Sequence, residues 1–319
     1  MQEGAKKFGL NVAASRMTTG NHAFYGKLEA ALVRFFACET AVLVANGYVT
    51  NLVVAQALAG DFSHVIVDEQ AHASLLDAAI FFDCPILKFK HRDAADLLRI
   101  VGRIGKQAKS VLLADGVFSH DGSLSPLRKY LKILPRNSVL LVDDAHGAGT
   151  LGETGKGAVE LEGTPRHRVI QTITLSKGFG VYGGAILCSR SLRERIFARS
   201  RMFAGSTPLP LPLASAALKA VQVLAAEKSL RQRLVRNVAF VKGELSKAGA
   251  NISPPPSPIV AIIPQTVREA ERIKARCLAA AVFPSFIKYG GGPQDGYFRF
   301  AISSEHTREQ LDALVRALV

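Results

Sequence analysis

Short apolar runs and longer amphipathic segments alternate along most of the chain. Seven apolar runs are rich in β-branched and aliphatic residues, as is typical of buried strands; they are 40–45, 64–67, 86–89, 110–114, 139–142, 169–175 and 184–188. Between them lie segments whose apolar residues recur with helical spacing, chiefly 26–37, 49–59, 72–82 and 93–105. This strand–helix alternation predicts a mostly parallel sheet with right-handed crossovers.

The pattern changes after residue 205. A turn at 205–210 opens a long helical region predicted at about 212–248, and a proline-rich break follows at 253–256. The remaining segments predict a small α/β unit, with a strand at 259–263, a helix at 267–280, strands near 281–288 and 297–302, and a closing helix at 307–318. We therefore predict a large domain over residues 1–225 and a small C-terminal domain over residues 226–319.

A basic composition raises nucleic-acid binding as an alternative function. The formal net charge is +14, and such a charge can serve to bind polyanions. However, Lys and Arg are spread over helical segments such as 190–201 and 228–242, where they mix with acidic and aliphatic residues. Aromatic residues are not interleaved with them, as they are in single-strand binders. We interpret the charge as solvated faces and predict no nucleic-acid partner.

Neither a membrane nor a metal is indicated. No apolar run approaches the roughly 18 residues of a membrane span, and the first residues lack the apolar core of a signal peptide. The four cysteines have no metal-binding or redox spacing, so they are predicted to be reduced core residues. We expect a cytoplasmic protein with no metal site and no membrane partner.

Candidate chemistry is concentrated at the ends of two apolar runs. Lys177 follows the run 169–175 among glycines, and a lysine desolvated by apolar neighbours can form a Schiff base. Asp143 and His146 follow the run 139–142, at the strand end where an open α/β sheet binds its ligand. A lysine for an aldehyde and an aspartate for a pyridinium nitrogen are what pyridoxal phosphate (PLP) requires. For Lys177 taken alone, a solvated loop lysine remains the simpler alternative.

Two stretches resemble a known family. They are Asp143-Asp144-Ala145-His146-Gly147 and the segment 174–184, Thr-x-Ser-Lys-Gly-Phe-Gly-x-x-Gly-Gly. Both resemble the α-oxoamine synthases, PLP-dependent enzymes of fold type I that condense an amino acid with an acyl-CoA and release CO2. The similarity runs in order from about Ser15 to the C-terminus. It implies a mostly parallel seven-stranded sheet, PLP as cofactor, and a homodimer with a shared active site.

The resemblance also implies roles for the residues around the cofactor. Lys177 would bind PLP and transfer protons, Asp143 would contact the ring nitrogen, and His146 would contact the phenolic oxygen. His72 would stack on the ring, although a capping histidine beside Ser74 is the alternative from the residues alone.

Further residues are expected around the phosphate and the substrate. By resemblance the turn at Asn46 holds the phosphate, and Ser206 or Thr207 would reach the phosphate of the partner subunit. The other residues implied are Gly47 and Tyr48 in the phosphate turn, Ser119 as a cofactor contact, Thr174 beside the lysine, and Arg299 on the substrate carboxylate. A structural ion pair is the alternative for Arg299.

The chain departs from the family pattern at two positions that concern the substrate. Tyr25 stands where the family has a histidine, and the segment 284–292 replaces a proline-rich stretch that lines the family's substrate site. The family's segment ahead of Met1 is also absent from the printed sequence. We expect these departures to alter acyl preference. An aminotransferase of the same fold is the alternative activity.

Overall fold

The computed structural model describes residues 1–288, 293 and 295–319. The chain forms two compact units, one of Met1–Gly116 with Ser125–Ala226 and the other of Val117–Leu124 with Glu227–Val319. The short segment Val117–Leu124 packs with the second unit, although the sequence placed it in the large domain. The assignment of two domains at 1–225 and 226–319 stays a prediction.

The first unit is built on a seven-stranded sheet with strand order β1-β7-β6-β5-β4-β2-β3. Only β7 runs against the others, because it pairs antiparallel with both β1 and β6. The strands are β1 Thr40–Val44, β2 His64–Asp68, β3 Ile86–Phe89, β4 Ser110–Asp115, β5 Val139–Asp143, β6 Val169–Thr174 and β7 Gly184–Cys188. The seven apolar runs of the sequence are these strands, and the predicted mostly parallel sheet is confirmed.

Both faces of the central strands are buried, which explains why the runs are continuously apolar rather than alternating. On β2, Val65 and Val67 belong to one core cluster and Ile66 to another. On β4, Leu113 joins the first cluster and Leu112 the second. Successive side chains therefore leave the sheet on opposite faces, and helices cover each face.

The helices of the first unit supply those layers. Residues of the helices at 47–57, 73–80 and 190–199 belong to the core cluster of Val65. Residues of the helices at 94–104 and 127–133 belong to the core cluster of Ile66. In chain order the helices are α1 Gln2–Phe8, α2 Ala23–Phe36, α3 Gly47–Ala57, α4 Ala73–Ile80, α5 Ala94–Ile104, α6 Leu127–Ile133, α7 Ala158–Leu161, α8 Arg190–Arg199, α9 Arg201–Gly205 and α10 Leu211–Ala226. No helix in the part of the chain that the structure describes is both long and apolar enough to cross a membrane.

The second unit has a three-stranded antiparallel sheet of order β8-β10-β9. Phe298 and Phe300 of the central strand pack with Leu311 and Leu314 of the last helix in one core cluster. Its elements are α11 Lys228–Lys247, β8 Ile259–Ile262, α12 Val267–Ala279, β9 Phe286–Ile287, β10 Tyr297–Ala301 and α13 Arg308–Leu318.

The predicted helical region at 212–248 is wrong as a single element. It consists of α10 and α11, separated at Glu227, whose backbone is not helical (φ −93°, ψ 76°). The composition of both halves favours helix, so the break carries no signal in the sequence pattern. The sequence pattern also missed α1 and α6. The glycines of segment 284–292 lie outside the described residues.

Candidate active site

A cavity of about 220 Å³ opens where β4, β5 and β6 end. The three strands are parallel and in register, with Asp115 opposite Asp143, so their carboxyl ends meet at one edge of the sheet. Eight residues proposed from the sequence line this cavity, namely Asn46, Gly47, Tyr48, His72, Asp143, His146, Thr174 and Lys177. The sequence interpretation gave no cavity role to four further lining residues, Ser74, Asp115, Ala145 and Ser176.

Lys177 and His146 contact each other across the cavity. The Lys177 Nζ lies 3.0 Å from the His146 Nε2, so an amine and an imidazole meet at one point of the cavity. Lys177 is exposed, so the expectation that apolar neighbours desolvate its amine is wrong. The glycines around Lys177 leave the amine open toward the cavity instead of burying it.

Asp143 ends β5 and is almost fully buried at 7% exposure. Its Oδ2 accepts hydrogen bonds from Asn51 Nδ2 at 2.7 Å and from Ser74 Oγ at 3.3 Å. Its Oδ1 accepts the backbone N–H of Ala145 at 3.1 Å. A carboxylate has about four acceptor positions, so one position on Oδ1 remains for a donor in the cavity.

Asp144, the next residue, is enclosed by backbone. Its Oδ2 accepts the N–H of Ala158 at 2.9 Å and the side-chain amide of Gln171 at 2.6 Å. An added Cβ would lie 2.1 Å from this carboxyl at Gly147 and 1.9 Å from it at Gly157, so only glycine fits there. Burial raises the pKa of Asp144 to about 8. Asp144 therefore holds the turn together.

Asp115 adds a third carboxyl at this edge. Its Oδ2 accepts the backbone N–H of His72 at 2.9 Å, which fixes the start of α4 beside the cavity. Burial, and next the charge of Asp143, raise the pKa of Asp115. Asp115 therefore favours its neutral form beside the charge of Asp143, and its role here is to position His72.

His72 caps α4 and also lines the cavity, so its two interpretations are compatible. Its Nδ1 accepts the backbone N–H of Ser74 at 3.2 Å, which assigns the ring proton to Nε2. The Tyr48 ring packs edge-on against the imidazole at 6.0 Å. The hydroxyl of Tyr48 donates to Asp77, and this hydrogen bond raises the tyrosine pKa to about 12.

The N-terminus of α3 approaches the end of β6 closely. A Cβ at Gly47 would lie 2.7 Å from the Cβ of Thr174, so a glycine is required at this contact. Asn46 caps the helix by accepting the N–H of Val49 at 3.1 Å. The first-turn N–H groups of Gly47 and Tyr48 have no acceptor within the helix, and such groups bind phosphate.

Three predicted residues of the first unit do not line this cavity. Tyr25 is fully buried, and its hydroxyl donates to the Leu209 carbonyl at 2.6 Å, so the cavity geometry does not support a substrate contact. Ser206 and Thr207 line a separate space of about 10 Å³. Their expected contact is with a partner subunit, and it stays a prediction.

Two predicted residues belong to the second unit. Ser119 lies in the short segment Val117–Leu124 and is half-buried. Arg299 lies in β10, and its backbone N–H donates to the Ser285 carbonyl at 2.9 Å. Its buried Nε has no hydrogen-bond partner among the described residues. Among the residues that the structure describes, no ion pair is seen at this Nε.

The cavity residues fit pyridoxal phosphate. Lys177 offers an amine for the aldehyde, and Asp143 retains an acceptor position for the ring nitrogen. The free N–H groups at Gly47 suit the phosphate, since the missing Cβ lets the chain approach closely. These three groups surround one cavity.

Comparisons with known proteins agree with this geometry. Residues 2–318 match the family described as "Aminotransferase class I and II". An 8-amino-7-oxononanoate synthase of Thioalkalivibrio sulfidiphilus is 33% identical over 321 residues, covering 100% of this chain and 82% of the relative. One from Trichlorobacter lovleyi is 31% identical and covers 99% of this chain and 82% of the relative.

Solved structures give the same result. A serine palmitoyltransferase from S. paucimobilis with bound PLP is 26% identical with a TM-score of 0.92, and the match covers 99% of this chain and 81% of that one. An 8-amino-7-oxononanoate synthase from Francisella tularensis is 25% identical with a TM-score of 0.85, covering 99% and 90%. This chain therefore belongs to the aminotransferase class I and II family and, within it, to the PLP-dependent α-oxoamine synthases.

Proposed function

We propose that this chain condenses an amino acid with an acyl thioester, with release of CO2 and free thiol, as an enzyme of the 8-amino-7-oxononanoate synthase type. The observation that carries the proposal is the Lys177–His146 contact at 3.0 Å in the cavity that Asp143 also lines. The curated relatives support the reaction class. In this reaction a carbon–carbon bond forms, the thioester C–S bond breaks, and the amino acid's carboxylate leaves as CO2.

When bound, PLP supplies an aldehyde that couples to amines and a ring that withdraws electrons from the amino acid's α carbon. Asp143 holds a proton on the ring nitrogen through its remaining Oδ1 position. Lys177 accepts the proton from the α carbon, and His146 holds the Lys177 amine in place through the contact at 3.0 Å. The Nε2–H of His72 is the donor that this ring offers to a ligand. Orientation by such fixed groups contributes several kcal/mol to catalysis.

Arg299 is our candidate for binding the amino acid's carboxylate. The support is its match to the family pattern and its buried Nε, which has no partner in the described part of the chain. A buried Nε–H without an acceptor is costly, and a carboxylate satisfies it and a neighbouring N–H in a bidentate manner. Arg299→Lys should therefore raise the KM for the amino acid more than it lowers the kcat.

Cofactor binding provides the first test. The purified protein incubated with PLP should show a visible absorption band, and borohydride should remove it while labelling Lys177 in a peptide map. Lys177→Ala is the matched control and should show neither the band nor the label. Protein that takes up no PLP would contradict the proposal.

Thiol release provides the second test. Glycine, alanine and serine should be assayed against a series of acyl-CoAs that includes pimeloyl-CoA, with free thiol as the readout. We propose alanine and pimeloyl-CoA as the substrates, and 8-amino-7-oxononanoate as the product. Amino transfer to a keto acid without thiol release from any pair would replace the synthase assignment with an aminotransferase.

We also propose a homodimer that shares its active sites. Exposed large side chains support it, since Tyr48 of the cavity is 42% exposed and Ile80 at the end of α4 is 69% exposed. Mixing Lys177→Ala protein with a Ser206→Ala/Thr207→Ala double variant should restore activity, because one site of each mixed dimer then carries no substitution. A monomer by light scattering that binds PLP fully would contradict the shared site.

A cytoplasmic location is the last part of the proposal. All four cysteines are free thiols, which suits a reducing compartment. Fractionation of expressing cells should recover the protein with cytoplasmic markers, and recovery in a membrane or secreted fraction would contradict it.

A further inference from the structure

Asn51 is a fully buried amide that lies behind the cavity rather than in it. It belongs to α3 and has 0% exposure. Its Nδ2 donates to Asp143 Oδ2 at 2.7 Å and to Ser74 Oγ at 3.0 Å. Its Oδ1 accepts the hydroxyl of Thr172 at 2.7 Å. Both hydrogens of the amide nitrogen and the amide oxygen are therefore bonded within the protein.

The orientation of this amide is determined by its neighbours. Thr172, on β6, can donate its single hydroxyl proton to Asn51 Oδ1 at 2.7 Å or to the Val142 carbonyl at 3.2 Å, and the shorter contact is with the amide. If the amide were flipped, its oxygen would face the carboxylate of Asp143, and two acceptors would be in contact. Thr172 and Asp143 together allow one orientation only.

Ser74 is a weaker support for Asp143 than Asn51 is. Its hydroxyl has one proton, and it lies 2.8 Å from His72 Nδ1 but 3.3 Å from Asp143 Oδ2. The serine proton is thus divided between the two partners, whereas Asn51 has a separate N–H for each of its own. Asn51 is therefore the principal side-chain donor to Asp143.

The two donors determine which oxygen of Asp143 can meet a ligand. Asn51 and Ser74 both bond Oδ2, and this leaves the remaining acceptor position on Oδ1. The amide thus determines the orientation of the carboxylate that is assigned to the ring nitrogen.

We propose that Asn51, held by Thr172, is a positioning residue that fixes the Asp143 carboxylate and directs its Oδ1 to the cofactor ring. The inference rests on the proposed function, since it takes Asp143 as the partner of the ring nitrogen. Asn51 itself touches neither cofactor nor substrate. Its effect is on how strongly PLP is held and on how well the ring nitrogen retains a proton.

The test compares three variants of the full chain. Asn51→Leu removes the amide at similar volume, and Thr172→Val removes only the hydroxyl that orients it. Thr164→Val is the control, because Thr164 is buried at 5% exposure and its hydroxyl has no hydrogen-bond partner in the described part of the chain. Thermal melting of the cofactor-free proteins checks that each variant folds.

Two readouts are taken, neither of which depends on turnover. The first is the Kd for PLP, which we expect to weaken by about tenfold or more in Asn51→Leu and about threefold in Thr172→Val, as for the loss of buried hydrogen bonds to a charged group. The second is the pH midpoint at which the visible band changes. Loss of positive charge on the ring nitrogen makes the nitrogen bonded to Lys177 easier to protonate, so this midpoint should rise by about one unit.

The outcomes separate the inference from its alternatives. An unchanged Kd and midpoint in both Asn51→Leu and Thr172→Val would overturn it. Weaker PLP binding with an unchanged midpoint would also overturn it, because that result indicates packing alone. If Asn51→Leu fails to fold, Thr172→Val against Thr164→Val still decides. A wild-type chain that binds PLP but releases no thiol would refute the proposed function and leave this comparison valid.

Discussion

Replacing Asp144 with asparagine should change how the stability of the protein depends on pH. The side chain is fully buried, and burial raises its pKa to about 8. Asparagine has the same shape and can still accept the hydrogen bonds of Ala158 and Gln171. The substitution therefore removes a titrating proton without removing the contacts. The free energy of unfolding of the wild type should fall between pH 5 and pH 7, and that of Asp144→Asn should fall less.

The sign follows from the two states of the carboxyl. In the unfolded chain its pKa is near 3.8, and in the folded chain it is near 8. The stabilisation is fully present below the unfolded pKa and is lost as the pH rises through the folded pKa. Between these values the folded chain holds one more proton, so the slope is at most about 1.4 kcal/mol per pH unit. From pH 5 to pH 7 the two proteins should diverge by on the order of 3 kcal/mol.

The assay is urea denaturation of the cofactor-free protein at pH 5, 6 and 7, followed by circular dichroism. Asp115, whose pKa is also raised by burial, titrates in both proteins, so the difference isolates Asp144. Glu305→Gln is a control that should not diverge from the wild type over this range, because a hydrogen bond from Arg233 lowers the pKa of that carboxyl from its ordinary 4.5 and both states are ionised above pH 5. Parallel curves for the wild type and Asp144→Asn would refute the reasoning, since they would mean that Asp144 is ionised when folded.

Three further substitutions test the local geometry. Gly157→Ala places a Cβ 1.9 Å from Asp144 Oδ2 at a φ of +90°, and it should lower the free energy of unfolding by about 3 kcal/mol or more in a denaturation assay. Gly102→Ala is the control, because Gly102 lies in open space within α5, and it should raise the free energy of unfolding by about 0.5–1 kcal/mol. Equal effects of the two substitutions would contradict the close packing at Gly157. Asn46→Ala should cost about 1 kcal/mol of thermal stability through loss of the α3 cap, with serine restoring most of it, and an unchanged melting temperature would count against the cap. Lys177→Arg should retain PLP measured by equilibrium dialysis but lose the borohydride label, and labelling elsewhere in the peptide map would show that another amine reacts.

Much of the fold was accessible from the sequence because burial on both faces leaves a strong local signal. Apolar runs such as Val169–Thr174 have no helical period, and parallel strands require this composition. The turn residues that follow them then identify the binding edge, which is how Lys177 and Asp143 were found.

Other features depend on contacts that no local pattern encodes. Asn51 meets Asp143 across 92 positions of sequence and Thr172 across 121, so its role is a product of tertiary packing. Its only local signal is an amide among buried positions of an apolar helix, beside Val53 and Val54. The exposure of Lys177 was missed for a related reason, because glycines open a site as readily as they allow close packing.

The two adjacent aspartates show how one strand end can hold opposite electrostatic environments. Asp143 faces the cavity, where three donors bond its carboxylate and one acceptor position is left over. Asp144 points to the other side, where glycine backbone surrounds it and its Oδ1 has no partner among the described residues. On the side of Asp144, desolvation favours the neutral form and raises the pKa to about 8. Strand alternation therefore separates a ligand-binding carboxylate from a structural acid within a single peptide step.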